Sequence, residues 1–258
     1  MTQSKIPVFV LGYGSANTLA SWFNPEDFPN IELIIIDNGK QTYPSKLLPF
    51  VKYQTRYNLG CAGGWNFICN YAFLYQNYDK ILISNEDNIF TQEIVNQVFE
   101  KTTDTNIQGT YDRAFEFSLF GITKECYYKV GEFDENFLMA SSEDLDYKLR
   151  CKLHDVTVSS LNINADLNKS ETGGDTIPRF RDYNKWYYQY KWGHDRFKTP
   201  YNLILDENAT WHVPMNANTI AFWKGQLDLV EYNPEGKSLR YPSTVEFNHF
   251  LSLISTSK

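Results

Sequence analysis

Residues 81–84, Ile-Leu-Ile-Ser, run straight into Asn85, Glu86, Asp87 and Asn88. Two carboxylates and two amides at the end of a core strand need partners, because unpaired buried charge is costly. A second acidic group, Glu143, Asp144 and Asp146, opens a segment in which Leu145, Leu149 and Leu153 recur every fourth residue. That spacing predicts an amphipathic helix with its acids in the first turn. Acids favour helix N-termini, with Ser141 or Ser142 as the cap, which accounts for one or two of the three. Asp87 has its own structural alternative, as the cap of a helix over residues 91–99. Thr91 can take that job instead, with Glu93 nearby.

The elements that must position these acids are legible as apolar runs. Residues 6–14 are apolar and turn at Gly12, Tyr13 and Gly14, and residues 31–39 end in Asp37, Asn38 and Gly39. Residues 50–55 and 80–85 supply a third and a fourth candidate strand. Between them, Trp65, Ile68, Cys69, Tyr71 and Ala72 recur at helical spacing behind a glycine-rich entry. Continuous apolar strands alternating with helices predict an α/β fold, a parallel sheet covered on both faces. Ligands of such sheets collect at the carboxyl ends of the strands. One strand-ending turn is most often only a turn, but three on one edge favour a site. Residues 56–66 lack the Gly-Lys-Ser/Thr of a Walker loop, and residues 12–17 lack the third glycine of a dinucleotide fingerprint. Two readings remain for this glycine loop: a helix cap, or close backbone approach to a nucleotide diphosphate.

A length of 258 residues suits one domain over residues 1–205, with an extension over 206–258 packed on it. Hydrophobic residues at 42% suffice for a sizeable core, and a mean hydropathy of −0.45 is that of a soluble chain. The net charge of −7 argues against a whole-surface nucleic-acid footprint while allowing a local basic patch. Cys61, Cys69, Cys126 and Cys151 show no Cys-x-x-Cys spacing, which argues against zinc and for free thiols in a reducing compartment. No apolar run approaches the ~18 residues of a membrane span, so no integral membrane segment is expected. The first residues do not read as a signal peptide, and a cytoplasmic setting is expected. The Asn-x-Ser/Thr triplets at Asn168 and Asn208 then read as chance matches.

Taken in order, these residues resemble family 2 glycosyltransferases of the GT-A fold, including bacterial and viral members. The resemblance is carried by Asp37-Asn38-Gly39; by Asn58, Gly60, Ala62, Gly63, Gly64 and Asn66; and by Asn85-Glu86-Asp87. It continues through Gly131, Phe133-Asp134-Glu135, Glu143-Asp144-Leu145-Asp146 and Arg150, and covers residues 6–160. It implies a nucleotide-diphospho-sugar transferase fold, with a mixed, mainly parallel sheet flanked by helices. It implies an inverting, metal-dependent transfer of a hexose or pentose from a nucleotide-diphosphate sugar, UDP-linked by expectation. Asp37 and Asn58 would contact the nucleotide, with Gly12, Tyr13, Asn38, Gly60, Gly63, Gly64, Asn66 and Asn85 around the donor. Asp87 would reach Mn²⁺ or Mg²⁺, and Glu86 would point away. Asp144 would be the general base, Glu143 would bind or orient the acceptor, and Phe120-Gly121 would let the sugar approach closely.

Several residues depart from the pattern. Asn85 stands where many relatives carry an aspartate, and residues 164–176 lack the histidine that serves relatives as a metal ligand. His212 is the preferred substitute and His194 the other. Residues 176–202 are basic and aromatic, with Arg179, Arg181, Lys185, Lys191, Arg196 and Lys198 against Asp182 and Asp195. They either pack aromatics onto the sheet or contact an anion, such as the donor diphosphate, a phosphorylated lipid carrier or DNA. The expected acceptor is a surface polysaccharide or glycolipid, and the rival is a hydroxymethylated base in viral DNA. From another class, the chain could be a non-catalytic sugar-nucleotide binder. A nucleotidyltransferase fits less well, because a lysine-bearing glycine loop after the first strand is missing.

Overall fold

A computed structural model describes residues 5–39, 41–55, 58–111, 116–137 and 139–163, together with 181, 184–185, 187–188 and 191–192. The apolar runs form β1 (Ile6–Gly12), β2 (Ile31–Asp37) and β4 (Lys80–Asn85). The more polar β3 (Val51–Gln54) follows β2 in sequence and lies at the sheet edge. Three later strands, β5 (Asn106–Tyr111), β6 (Leu119–Thr123) and β7 (Thr157–Ile163), complete a seven-stranded sheet of order β3-β2-β1-β4-β6-β5-β7. All strands run one way except β6, which is antiparallel to β4 and β5. The expected mixed, mainly parallel sheet flanked by helices is what the chain forms.

The central strands are apolar throughout because both of their faces are covered. Phe9 and Leu11 of β1 join a core with α2 (Gly60–Asn70), α4 (Lys124–Val130) and α5 (Glu143–Leu153). Val8 and Val10, which point the other way, join a core with α1 (Ala16–Trp22) and α3 (Gln92–Lys101). Thr91 caps α3 by accepting from Ile94 N at 3.3 Å, so Asp87 is released from that task.

Three expectations are corrected here. The buried face of α5 is not the leucine row: Glu143, Asp146, Tyr147, Arg150 and Cys151 are buried, and Leu145, Leu149 and Leu153 are half-buried. Ser142 occupies the N-cap position of α5 but makes no side-chain cap bond. Phe120 and Gly121 lie in the core, where a Cβ on Gly121 would come within 2.0 Å of Thr102 Oγ1. Gly121 therefore admits the end of α3 to the sheet, not a sugar.

Two α2 glycines have packing reasons. A Cβ on Gly64 would meet the Leu11 methyls at 2.6 Å, so this glycine lets α2 press onto β1. Gly60 starts the helix at φ +71°, and a Cβ there would lie 2.8–3.0 Å from the Met139 backbone. The extension over residues 206–258 lies outside the described residues. Among those described, no helix is long and apolar enough to cross a membrane.

Gly60→Ala combines left-handed backbone with a clash against main chain, which cannot swing away as a side-chain end can. Urea unfolding should show it less stable by about 1–3 kcal/mol. Gly64→Ala meets only leucine methyls and should lose less.

Candidate functional site

Strand register brings three chain segments level. Gly12 pairs with Asp37 across β1 and β2, and Leu11 pairs with Asn85 across β1 and β4. The residues just past these positions therefore meet at one edge of the sheet, where the start of α2 also arrives. A pocket opens there, lined by Leu11, Tyr13, Asn38, Asn58, Gly60, Cys61, Asn85, Glu86, Asp87, Met139 and Ala140. Six residues expected around the donor or metal line it: Tyr13, Asn38, Asn58, Gly60, Asn85 and Asp87.

The amides of this pocket are held in fixed orientations. Asn38 Oδ1 accepts from Leu59 N at 2.9 Å, and its Nδ2 donates to Asn58 Oδ1 at 3.1 Å and Gly60 O at 3.2 Å. Asn58 Oδ1 also accepts from Gly60 N at 2.8 Å, which caps the entry to α2. With its oxygen engaged twice, Asn58 carries a buried Nδ2 that has no hydrogen-bond partner among the described residues. An unpartnered buried donor in a pocket wall is the kind of group a ligand acceptor satisfies.

Asp37 is placed differently from expectation. Its Oδ1 accepts from Gly39 N at 3.0 Å and Gln41 N at 3.3 Å, and its Oδ2 accepts from Gln54 Nε2 at 2.7 Å. It braces the loop after β2 and is not among the pocket-lining residues. Asn66 is likewise engaged elsewhere. It holds both Phe133 N (2.8 Å) and Phe133 O (2.9 Å), together with Glu135 Oε1 at 3.0 Å. It pins α2 to the Gly-x-Phe-Asp-Glu turn. Gly63 packs near Leu59 and Glu135, and Gly12 leaves room for Tyr43, Gln41 and Glu86. Neither lines the pocket.

Glu86 corrects the expectation that it points away. It lines the pocket and is buried, accepting from Ser15 N and, at 2.7 Å, from Gln41 Nε2. Gln41 Nε2 also donates to Tyr43 Oη at 2.8 Å, and that network occupies the space the missing Gly12 side chain leaves. Burial pushes the Glu86 carboxyl up to about 8, against these N–H donors, which favour the charged form.

The two acidic groups meet around one thiol. Half-buried Cys61 lines the pocket, and its pKa is raised by burial and then by the charges of Glu143, Asp144 and Asp87. Its thiol donates to the buried Glu143 carboxyl, whose Oε2 has no hydrogen-bond partner among the described residues. Burial first, and the charge of Asp144 second, hold Glu143 well above the ordinary carboxyl range. Asp144 Oδ1 accepts from Leu145 N at 2.8 Å. Acids far apart in sequence thus share one neighbourhood beside the pocket. Among the described residues no three His, Cys, Asp or Glu side chains are grouped so as to cage a metal. His212 and His194 lie outside the described residues.

Asp146, the third acid of its motif, is an anchor. It pairs with Arg150 Nε at 2.9 Å and Lys191 Nζ at 2.7 Å, and accepts from Trp192 Nε1 at 2.9 Å. Lys191 is therefore engaged inside the protein, which corrects its assignment to an anionic ligand. Trp192 is held against α5 by its bond to Asp146. Sequence reasoning missed Cys61, Met139 and Ala140; the last two reach the pocket on the turn whose Met139 meets Gly60 and Cys61.

No family model matches the chain, and no curated protein does. Among solved structures it is similar to the inositol-1-phosphate CTP transferase from T. maritima, at 16% identity and a TM-score of 0.37. That match covers 66% of this chain and 94% of the other.

Between pH 4.5 and about 8 the folded chain holds a Glu86 proton that the unfolded chain releases. This contribution is complete at low pH and is lost as pH rises through that window. Thermal unfolding should show wild type losing stability relative to Glu86→Gln on going from pH 5 to 8, by roughly 1 kcal/mol per pH unit.

Proposed function

We propose that the pocket binds a nucleotide-diphosphate sugar, UDP-linked by resemblance, and that the protein transfers the sugar with inversion to an acceptor hydroxyl. The observation that carries this reading is that Asp87 and Cys61 line one pocket with Asn38, Asn58 and Asn85, and that the Cys61 thiol is hydrogen-bonded to Glu143, the neighbour of Asp144.

The charge balance supports a divalent cation. Glu86 and Asp87 line the pocket, and no Lys or Arg is among its described lining residues. A diphosphate entering there would meet the charge of Asp87, the Glu86 carboxyl being pushed up to about 8 by burial. Mg²⁺ and Mn²⁺ are commonly held by one or two carboxylates, the rest of the shell coming from substrate phosphates and water. Asp87 fits such a shared ion, with Asn85 as a neutral neighbour. When bound, the ion would neutralise the diphosphate as it leaves.

The chain's own residues do the remainder. Asn58 Nδ2 donates to an acceptor on the donor nucleotide. Asp144 takes the proton of the acceptor hydroxyl as its oxygen bonds to the anomeric carbon. The bond from that carbon to the diphosphate breaks, and its electron pair leaves with the phosphate oxygen. A protonated Glu143 removes the like charge that would face Asp144 and supports acceptor orientation. A polysaccharide or glycolipid acceptor is favoured over DNA, because Lys191 of the basic segment is already paired within the protein.

With a panel of nucleotide sugars and Mn²⁺, release of nucleoside diphosphate should require the metal and be abolished by chelation. Asp144→Asn should lower turnover by ~10²–10⁴-fold while donor affinity stays close to wild type. Undiminished transfer by that variant would remove the base assignment, and binding without turnover by wild type would favour a non-catalytic binder. Asp87→Asn should raise the Mn²⁺ concentration needed for half-maximal rate.

A further inference from the structure

The backbone is left-handed at Met139 (φ 60°), Ser141 (93°) and Ser142 (78°), none of them glycine. Such backbone is unfavourable for residues with a Cβ and persists where the surroundings hold it. This stretch also has consequences for the site. Met139 and Ala140 wall the pocket, and Ser142 leads directly into Glu143 and Asp144.

Two sets of contacts hold the stretch. From the sheet side, Met139 O accepts from Cys61 N at 2.6 Å. From the other side come residues far along the chain. Asn184 Nδ2 donates to Ala140 O at 2.9 Å, and the Tyr187 ring packs edge-on against Phe137 with centroids 4.8 Å apart. Tyr187 Oη donates to Asp134 Oδ2 at 2.8 Å. Lys191 Nζ lies 2.7 Å from Asp134 Oδ2 and 2.7 Å from Asp146 Oδ1, with only 3% of its side chain exposed. Asp134 precedes the strained stretch and Asp146 follows it, so one buried ammonium ties together the two ends of the turn. A buried cation between two carboxylates is strongly held, because removing it strands two buried charges.

We infer that Lys191, with Asn184, is a positioning residue: it clamps the turn between Asp134 and Asp146 in the strained form that builds the pocket wall. The clamp rests on geometry alone; its effect on transfer, through Glu143 and Asp144, rests on the function proposed above. Released from Lys191, the turn relaxes, Met139 leaves Cys61, and the acid pair loses its setting.

The test uses the full chain and two readouts. The first is alkylation of Cys61 by iodoacetamide, followed by mass spectrometry; Cys69, Cys126 and Cys151 are buried and report global unfolding. Lys191→Met and Asn184→Ala should accelerate Cys61 labelling selectively by about 5–30-fold, the factor set by losing one or two contacts from a local closing equilibrium. Lys191→Arg, which keeps the charge, should stay nearer to wild type. The second readout is turnover: kcat should fall in Lys191→Met by more than donor KM rises, with recovery in Lys191→Arg. Wild-type labelling and kcat in a cooperatively folded Lys191→Met protein would overturn the clamp. If Lys191→Met instead labels all four thiols at once, Asn184→Ala decides, since it deletes one hydrogen bond. Selective acceleration at Cys61 there supports the clamp, and a wild-type rate overturns it. If even the wild type turns over no donor, the transfer reading falls, and the labelling result alone decides the clamp.

Discussion

The structure is organised around buried negative charge. Glu86, Asp87, Asp134, Glu143 and Asp146 are all buried, in a chain with seven more acids than bases. A carboxylate taken from water must find a cation, several N–H donors, a proton or a ligand. These acids reach different solutions in groups, and the grouping separates scaffold from site. Asp134 and Asp146 take cations, Lys191 for both and Arg150 for the second. Glu86 and Glu143 are pushed toward their protonated forms by burial. Asp87 lines the pocket, beside Asn85 and Glu86.

That division explains why residues that look alike in sequence do different work. Asp144 and Asp146 are two positions apart on one helix. One follows Glu143, whose carboxyl bonds the pocket thiol Cys61; the other carries the ion pairs that hold the helix. For Asp134 burial alone would raise the carboxyl, but Lys191 beside it keeps the group below its ordinary range. The same segment that satisfies these acids braces a turn whose backbone is unfavourable on its own. Stability and site geometry are therefore coupled through a few buried contacts.

The glycines show a parallel division. Gly60, Gly64 and Gly121 all sit where a Cβ would collide with protein, and each collision is with a different element. The glycine-rich entry to α2 is thus required first by close packing against β1 and the Met139 turn. Gly60 and its neighbour Asn58 also line the pocket. A glycine loop opening a helix invites both readings in sequence, and only the distances separate them.

The α/β class, the buried central strands and the gathering of Tyr13, Asn38, Asn85 and Asp87 at one edge were legible in the chain itself. Run length, apolar continuity and turn chemistry are local properties, and a parallel sheet aligns its strand ends. The direction of Glu86, the bracing role of Asp37, the bond pattern of Asn66 and the partner of Lys191 were not legible. Each depends on groups brought together across long sequence separations, such as Lys191 and Asp134, 57 residues apart. Hydrogen bonds and ion pairs act over a few ångströms of space, whatever the distance along the chain. Sequence therefore located the acids, and only the tertiary structure decided which groups surround each of them.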